Sequence, residues 1–328
     1  MRICIIGAGA IGGLLAARLA ANGERVTVVA RGEHLRAISA NGLRLLTEEG
    51  EIKASVEAVS DLASLEPHDL IVLAVKAHQL TPIAADVGRL ARAGGLVLTM
   101  QNGIPWWYFH KHGGPYEGRG LETVDPGAII AQYLPVDQVI GSVVYPAAEI
   151  AEPGVIRLIE GNRFSLAELD NSASERIQEV SRVFTAAGFK APVVSDIRAE
   201  IWTKLWGNMS FNPISALTGA TLAGICAHPQ GRALAADMMR EAQAVGEKLG
   251  IRFRIPLAKR IAGAEAVGEH KTSMLQDVEA GRATEVDALV GSILELGAVA
   301  DVPTPAISAI YGCMRLLDDT RAKQRAGA

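Results

Sequence analysis

The sequence has few cysteines, no long apolar run and no excess of positive charge, and each absence removes a class of protein. Its three cysteines, Cys4, Cys226 and Cys313, are an odd and sparse set. They make no disulfide framework and suit a reducing, cytoplasmic setting. Cys4 lies in an apolar run and reads as a small core residue, not a reactive thiol. No apolar stretch reaches the roughly 18 residues of a membrane span. A net charge of -4 offers nothing for a polyanion such as nucleic acid. His110 and His112 stand close together, but no further His or Cys cluster supports a metal site. Arg2 and the run from Ile3 to Ala17 have the outline of a secretory leader. Gly7, Gly9, Gly12 and Gly13 interrupt that run and another apolar strand follows at once, so strand, turn and helix fit better.

What is present is an ordinary globular composition, 49% hydrophobic and 21% charged, in 328 residues. That length suits two domains better than one core. Apolar runs without alternation at 2–6, 25–30, 70–75 and 95–100 read as parallel strands covered on both faces. Helical patterns lie between them, among them 11–22 and 82–92. The alternation predicts a doubly wound α/β domain. Short runs at 141–145, 154–160 and 163–169 look like hairpin additions to that sheet. After a helix at 174–187 the patterns are helical only, with long helices near 232–249 and 285–300 and a polar, frayed tail from Arg321. The expected domains are therefore 1–195 and 196–328, an N-terminal α/β domain and a C-terminal all-helical one.

Gly7-Ala8-Gly9-Ala10-Ile11-Gly12 is a G-x-G-x-x-G turn between a strand and a helix, the context that gives the motif its meaning. Gly7 permits the tight turn, Gly9 lets backbone approach a pyrophosphate, and Gly12 lets the helix pack on the strand. The helix N-terminus offers free N–H groups to phosphate. At the end of the second strand an NAD enzyme usually carries an acid that binds the ribose hydroxyls. Here Arg31 takes that place, and a guanidinium suits the 2′-phosphate of NADP(H). A solvated surface arginine is the competing reading, and Glu33 lies nearby. Lys76 and Asn102 stand at the carboxyl ends of two further strands, where ligands of open α/β sheets bind. A loop lysine and an Asn-Gly turn residue explain them equally.

Lys204, Asn208 and Asn212 are spaced by four in a helical stretch and share one face. Pro213 biases Asn212 towards a kink, which leaves Lys204 and Asn208 as the firmer pair. Reduction of a 2-oxo acid needs a held carboxylate, a polarised carbonyl and a proton donor. An ammonium whose pKa is lowered by burial supplies the last two, and Lys204 is the candidate. Ser273 and Glu285 come from a later stretch. By themselves they read as a helix cap and a first-turn acid.

Together these residues resemble the ketopantoate reductase family. The likeness rests on G-A-G-A-I-G, Arg31, A-V-K at Lys76, Q-N-G at Asn102, K-L-x-x-N at Lys204, and S-M-L-Q-D with T-E-V-D around Ser273 and Glu285. It implies a Rossmann domain followed by a helical domain like that of 6-phosphogluconate dehydrogenases. It implies NADP(H) bound by Gly7, Ala8, Gly9, Ala10, Ile11 and Gly12, with Arg31, Lys76, Asn102, Ala148 and Glu285 also at the cofactor. Lys204 would be the proton donor, and Asn102, Asn208, Asn212 and Ser273 would hold the small 2-oxo acid. The implied reaction is NADPH-dependent reduction of 2-dehydropantoate to (R)-pantoate, a step towards coenzyme A.

One stretch departs from the family pattern. Residues 104–127, beginning Ile104-Pro105-Trp106-Trp107-Tyr108-Phe109, are long and aromatic and follow directly on Asn102. They predict either a lid or pocket wall that alters substrate choice, or a packing or subunit-contact insertion. Two alternatives to the family reaction therefore stay open. One is an NADPH reductase of another 2-oxo acid, and the other a non-catalytic NADP-binding sensor. The apolar faces of the helical domain are compatible with a homodimer.

Overall fold

Arg2–Ile6 form strand β1, and the four residues after Arg2 are buried, as an unbroken apolar run requires. The chain is described by a computed structural model covering residues 1–326. The later strands are β2 (Arg25–Val29), β3 (Leu43–Thr47), β4 (Gly50–Ala54), β5 (Glu57–Val59), β6 (Leu70–Leu73), β7 (Leu96–Thr99), β8 (Val139–Val144), β9 (Ala147–Glu152), β10 (Val155–Glu160) and β11 (Phe164–Glu168). Seven of them form one sheet in the order β11-β8-β7-β6-β1-β2-β5. All neighbours pair parallel except β11, which closes one edge antiparallel to β8. From β5 to β8 this is the doubly wound Rossmann order, with the topological switch between β1 and β6.

The fold is thus the expected α/β class, an N-terminal Rossmann-like unit with a helical C-terminal part. The chain divides into a first unit of Met1–Gln101, Trp106–Gly120 and Asp125–Ile197 and a second of Asn102–Pro105, Leu121–Val124 and Arg198–Ala328. Two short pieces of the N-terminal half therefore belong with the helices. The sequence pattern, which places a single break near residue 195, does not reveal this.

Helices α1 (Ala10–Ala21), α2 (Gly32–Asn41), α3 (Ala84–Arg92), α4 (Ile129–Tyr133) and α5 (Glu175–Ala186) complete the first unit. A second sheet, β4-β3-β10-β9, was not among the expected elements. The three runs read as additions to the main sheet separate here: β8 and β11 join it, whereas β10 pairs with β3 of the hairpin β3–β4 and, on its other side, with β9. The second sheet covers α1, which explains why Leu14, Leu15, Ala16, Ala17 and Leu19 are all buried. Gly13 lets this happen, because a Cβ there would lie 2.7 Å from the Ile156 side chain. Cys4 lies in the main sheet, and burial pushes its thiol up to about 12, so it stays protonated and inert.

The aromatic start of the insertion is buried. Trp106, Trp107, Tyr108 and Phe109 are buried, and Trp107 Nε1 donates to Thr99 Oγ1 at 3.0 Å. Of the two readings open in the sequence, packing is what the structure shows for these four residues.

The second unit contains most of α6 (Ile197–Thr218), then α7 (Leu222–Ala227), α8 (Pro229–Lys248), α9 (Leu257–Ala266), α10 (Ser273–Glu279), a π-helical turn at Asp287–Gly291, α11 (Ser292–Ala300) and α12 (Pro305–Ala326). The helix expected over 285–300 is therefore a π turn followed by an α-helix. The expected frayed tail is helical to Ala326, with Arg321 donating to the Val278 carbonyl and Arg325 to that of Gly281. Residues 327 and 328 lie outside the described residues. Pro213 lies inside α6, and helical structure continues past it to Thr218. Burial of Phe211, Asn212, Ile214 and Ser215 outweighs the local bias of the residue before proline. Among the described residues, no helix is long and apolar enough to cross a membrane.

Candidate active site

In the first unit the site is built from backbone. Gly7 has φ +103, and a Cβ on it would crowd Ala74 and Val75 beyond β6. A Cβ on Gly12 would sit on the Gly7 carbonyl oxygen, so the helix start can approach the turn only with glycine there. Gly7 and Ala8 both donate their N–H to the Val29 carbonyl at 3.1 Å, which ties the turn to the end of β2. Gly9 precedes α1, has no side-chain cap, and has open space where a Cβ would be. The N–H groups of Ala10, Ile11 and Gly12 open the helix, where no intrahelical acceptor exists for them. An arrangement of this kind can cradle a phosphate.

The surrounding residues of the same unit lie where the strand ends carry them. Lys76 follows β6 and leads into a short 3-10 turn, its N–H held by Gln79 Oε1 at 3.1 Å. Arg31 follows β2 and is exposed at the start of α2. Glu33, the nearby acid, pairs with Arg36 at 3.7 Å. Ala148 lies in β9, partly buried against the hydrophobic core, and so offers only its backbone.

In the second unit the site is built from side chains. Lys204 Nζ donates to Asn102 Oδ1 at 2.6 Å, and Asn102 Nδ2 donates to Glu285 Oε2 at 3.3 Å. An ammonium can only donate and a carboxylate only accept, so the two partners fix the orientation of the amide. The three residues come from 102, 204 and 285, and the structure brings them together. Burial pushes the Lys204 ammonium down to about 8, while the negative charge of Glu285 acts in the opposite direction.

The backbone that holds Asn102 explains the glycine after it. Gly103 has φ +89, and a Cβ would overlap the Ala288 carbonyl. The π turn draws the Ser292 N–H to the Asp287 carbonyl. The Ala288 carbonyl in turn receives the Ile104 N–H at 3.0 Å and the Ser292 hydroxyl at 2.7 Å. A π turn is a frequent device at functional sites. Here it anchors the segment carrying Asn102 beside Glu285. Nothing in the periodicity of the sequence announced it.

The remaining candidates are placed less tightly. Asn208 and Asn212 follow Lys204 along α6. Asn208 is half-buried and Asn212 is buried. Ser273 is exposed in the first turn of α10, and Thr272, not Ser273, caps that helix by accepting from the Leu275 N–H at 3.2 Å. Glu285 stands just before its helix, and its carbonyl accepts from Leu289 N–H at 3.0 Å. Among the described residues, no group of three or more His, Cys, Asp or Glu side chains is placed to hold a metal ion.

Comparison with known proteins agrees with both halves. The family model described as ketopantoate reductase PanE/ApbA matches residues 3–111, and its C-terminal counterpart matches 196–318. A 2-dehydropantoate 2-reductase of Mesorhizobium japonicum is 55% identical over 318 residues, covering 97% of this chain and 98% of its own. A solved chain from Ralstonia solanacearum MolK2, assigned as a ketopantoate reductase, is 41% identical with a TM-score of 0.92, covering 98% of each chain. A D-mandelate dehydrogenase solved with NADH and anilino(oxo)acetate shares the fold, with a TM-score of 0.83 at 23% identity over 98% of this chain and 100% of that one.

Proposed function

This chain belongs to the ketopantoate reductase family, and from that premise we propose that it reduces 2-dehydropantoate to (R)-pantoate with NADPH. The observation that carries the chemistry is the Lys204 ammonium, lowered by burial and held on Asn102. Bound NADPH would supply the hydride that arrives at C2 of the 2-oxo acid.

The chain's own residues do the rest. The turn from Gly7 to Gly12 and the start of α1 take the pyrophosphate on backbone N–H groups. Arg31 takes the 2′-phosphate through charge-assisted hydrogen bonds, and this favours NADPH over NADH. Lys76 adds positive charge beyond β6, at the switch point of the sheet. Lys204 polarises the substrate carbonyl oxygen and gives it a proton as the hydride reaches carbon, leaving a 2-hydroxy acid and a neutral amine that solvent reprotonates. Asn102 fixes the ammonium in place, and Glu285 fixes Asn102. Asn208, Asn212 and Ser273 hold the polar groups of the acid.

The test is a panel of 2-oxo acids with NADPH and NADH, followed by loss of reduced-nicotinamide absorbance. The highest kcat/KM is expected with 2-dehydropantoate and NADPH. A clear preference for another acid overturns the substrate assignment, and tight NADPH binding without turnover of any acid overturns the assignment as an enzyme.

A further inference from the structure

One side chain touches the glycine turn from behind. His34, in the first turn of α2, places Nε2 at 2.7 Å from the Ala8 carbonyl oxygen, and its Nδ1 receives the Gly154 N–H at 3.0 Å. Both partners have fixed roles: a carbonyl only accepts, and a backbone N–H only donates. The ring therefore donates through Nε2 and accepts through Nδ1. Gly154 is itself tied on its other side, because its carbonyl accepts the Arg44 N–H at 2.9 Å at the start of β3. His34 thus links three segments of the first unit: the β1–α1 turn, helix α2 and the β9–β10 turn.

The consequence lies in the geometry of one peptide group. Among the described residues no peptide bond is cis, so the Ala8 carbonyl and the Gly9 N–H point in opposite directions across a single plane. A carbonyl held towards His34 aims the Gly9 N–H away from it. Gly9 has no side chain to restrain the rotation of that peptide, and the space where its Cβ would lie is open. A turn of this composition, left alone, would sample several orientations and lose that freedom on binding.

We propose that His34 is a positioning residue for the cofactor: its hydrogen bond to Ala8 presets the Ala8–Gly9 peptide so that the Gly9 N–H is presented to the pyrophosphate. This rests on the reading of the glycine turn as a dinucleotide site. His34 itself touches no phosphate. Its effect is on affinity for NADPH and not on the chemical step.

Two substitutions separate this role from plain structural support. In His34→Gln the carboxamide nitrogen can occupy the place of Nε2 and keep the bond to Ala8, while the bond to Gly154 is lost. In His34→Asn the carboxamide oxygen can occupy the place of Nδ1 and keep the bond to Gly154, while the bond to Ala8 is lost. The Kd for NADPH is measured by fluorescence titration, kcat at saturating NADPH by absorbance, and Tm by thermal melting. His34→Asn should weaken NADPH binding about tenfold with Tm near that of the wild type, and His34→Gln should keep the Kd within about twofold even where Tm falls. kcat should change little in either. An unchanged Kd in His34→Asn, or a Kd that follows Tm in both variants, overturns the proposal. A wild-type chain without measurable NADPH affinity overturns the reading of the glycine turn, and this inference with it.

Discussion

The candidate site residues of the two units are made of different material. In the first unit the groups that would meet a ligand are mostly backbone N–H, and the side chains that matter are missing ones: Gly7, Gly9 and Gly12. In the second unit the groups are side chains, Lys204, Asn102 and Glu285, and backbone serves to carry them. The difference fits the proposed tasks. Phosphate binding needs several donors on a rigid curve, which a helix start supplies without side chains. Proton transfer needs one titratable group in a set environment, and only a side chain can be tuned by burial. Changes in the first unit should therefore appear in cofactor affinity and choice, and changes in the second in kcat.

The largest effect that sharpens this division is expected from Lys204→Ala. It should lower kcat by about 10²- to 10⁴-fold and leave the Kd for NADPH unchanged. A matching loss of NADPH affinity would break the division. Gly103→Ala comes next. Its Cβ would displace the segment from Ala288, and a shift of Asn102 on the order of 1 Å should cost about 10²-fold in kcat, again at constant NADPH affinity. A normal kcat in this variant would show that the π turn does not place Asn102. Arg31→Ala should do the opposite, reducing the preference for NADPH over NADH by about 10- to 100-fold while kcat with saturating NADPH holds. An intact preference would assign the 2′-phosphate to another residue, with Lys76 the first to examine.

The same contrast decides what could be read from the sequence. The glycine turn was legible because its residues are contiguous and Gly7 and Gly12 each have a steric reason in local geometry. The parallel strands were legible because burial on both faces leaves an unbroken apolar run. Lys204 and its stripe were visible as helical spacing, but the spacing alone does not tell a site from a wet surface. The meeting of Asn102, Lys204 and Glu285 rests on tertiary packing, and only the resemblance to a family pointed to it. Three features were not legible. Strands β3, β4 and β9 bear charged residues on a half-exposed sheet and lack the continuous apolar signal. The π turn at Asp287–Gly291 has no sequence period of its own. The bond from His34 to Ala8 joins residues on successive elements that no pattern connects. Pro213 biases Asn212 towards a kink, yet the segment keeps its helical structure, because burial there outweighs the local bias.

The claim on which the account depends is that Lys204 donates the proton in its charged form. Burial lowers this ammonium to about 8, so the donor is present below that pH and is lost as pH rises through it. The decisive measurement is the single-turnover rate of reduction with saturating NADPH and 2-oxo acid, taken from about pH 6 to about pH 10. A rate that is level at low pH and then falls towards tenfold per pH unit above about 8, with no such fall in the residual rate of Lys204→Ala, is the expected result. A wild-type rate that stays level to about pH 10, or an identical fall without the lysine, would contradict it.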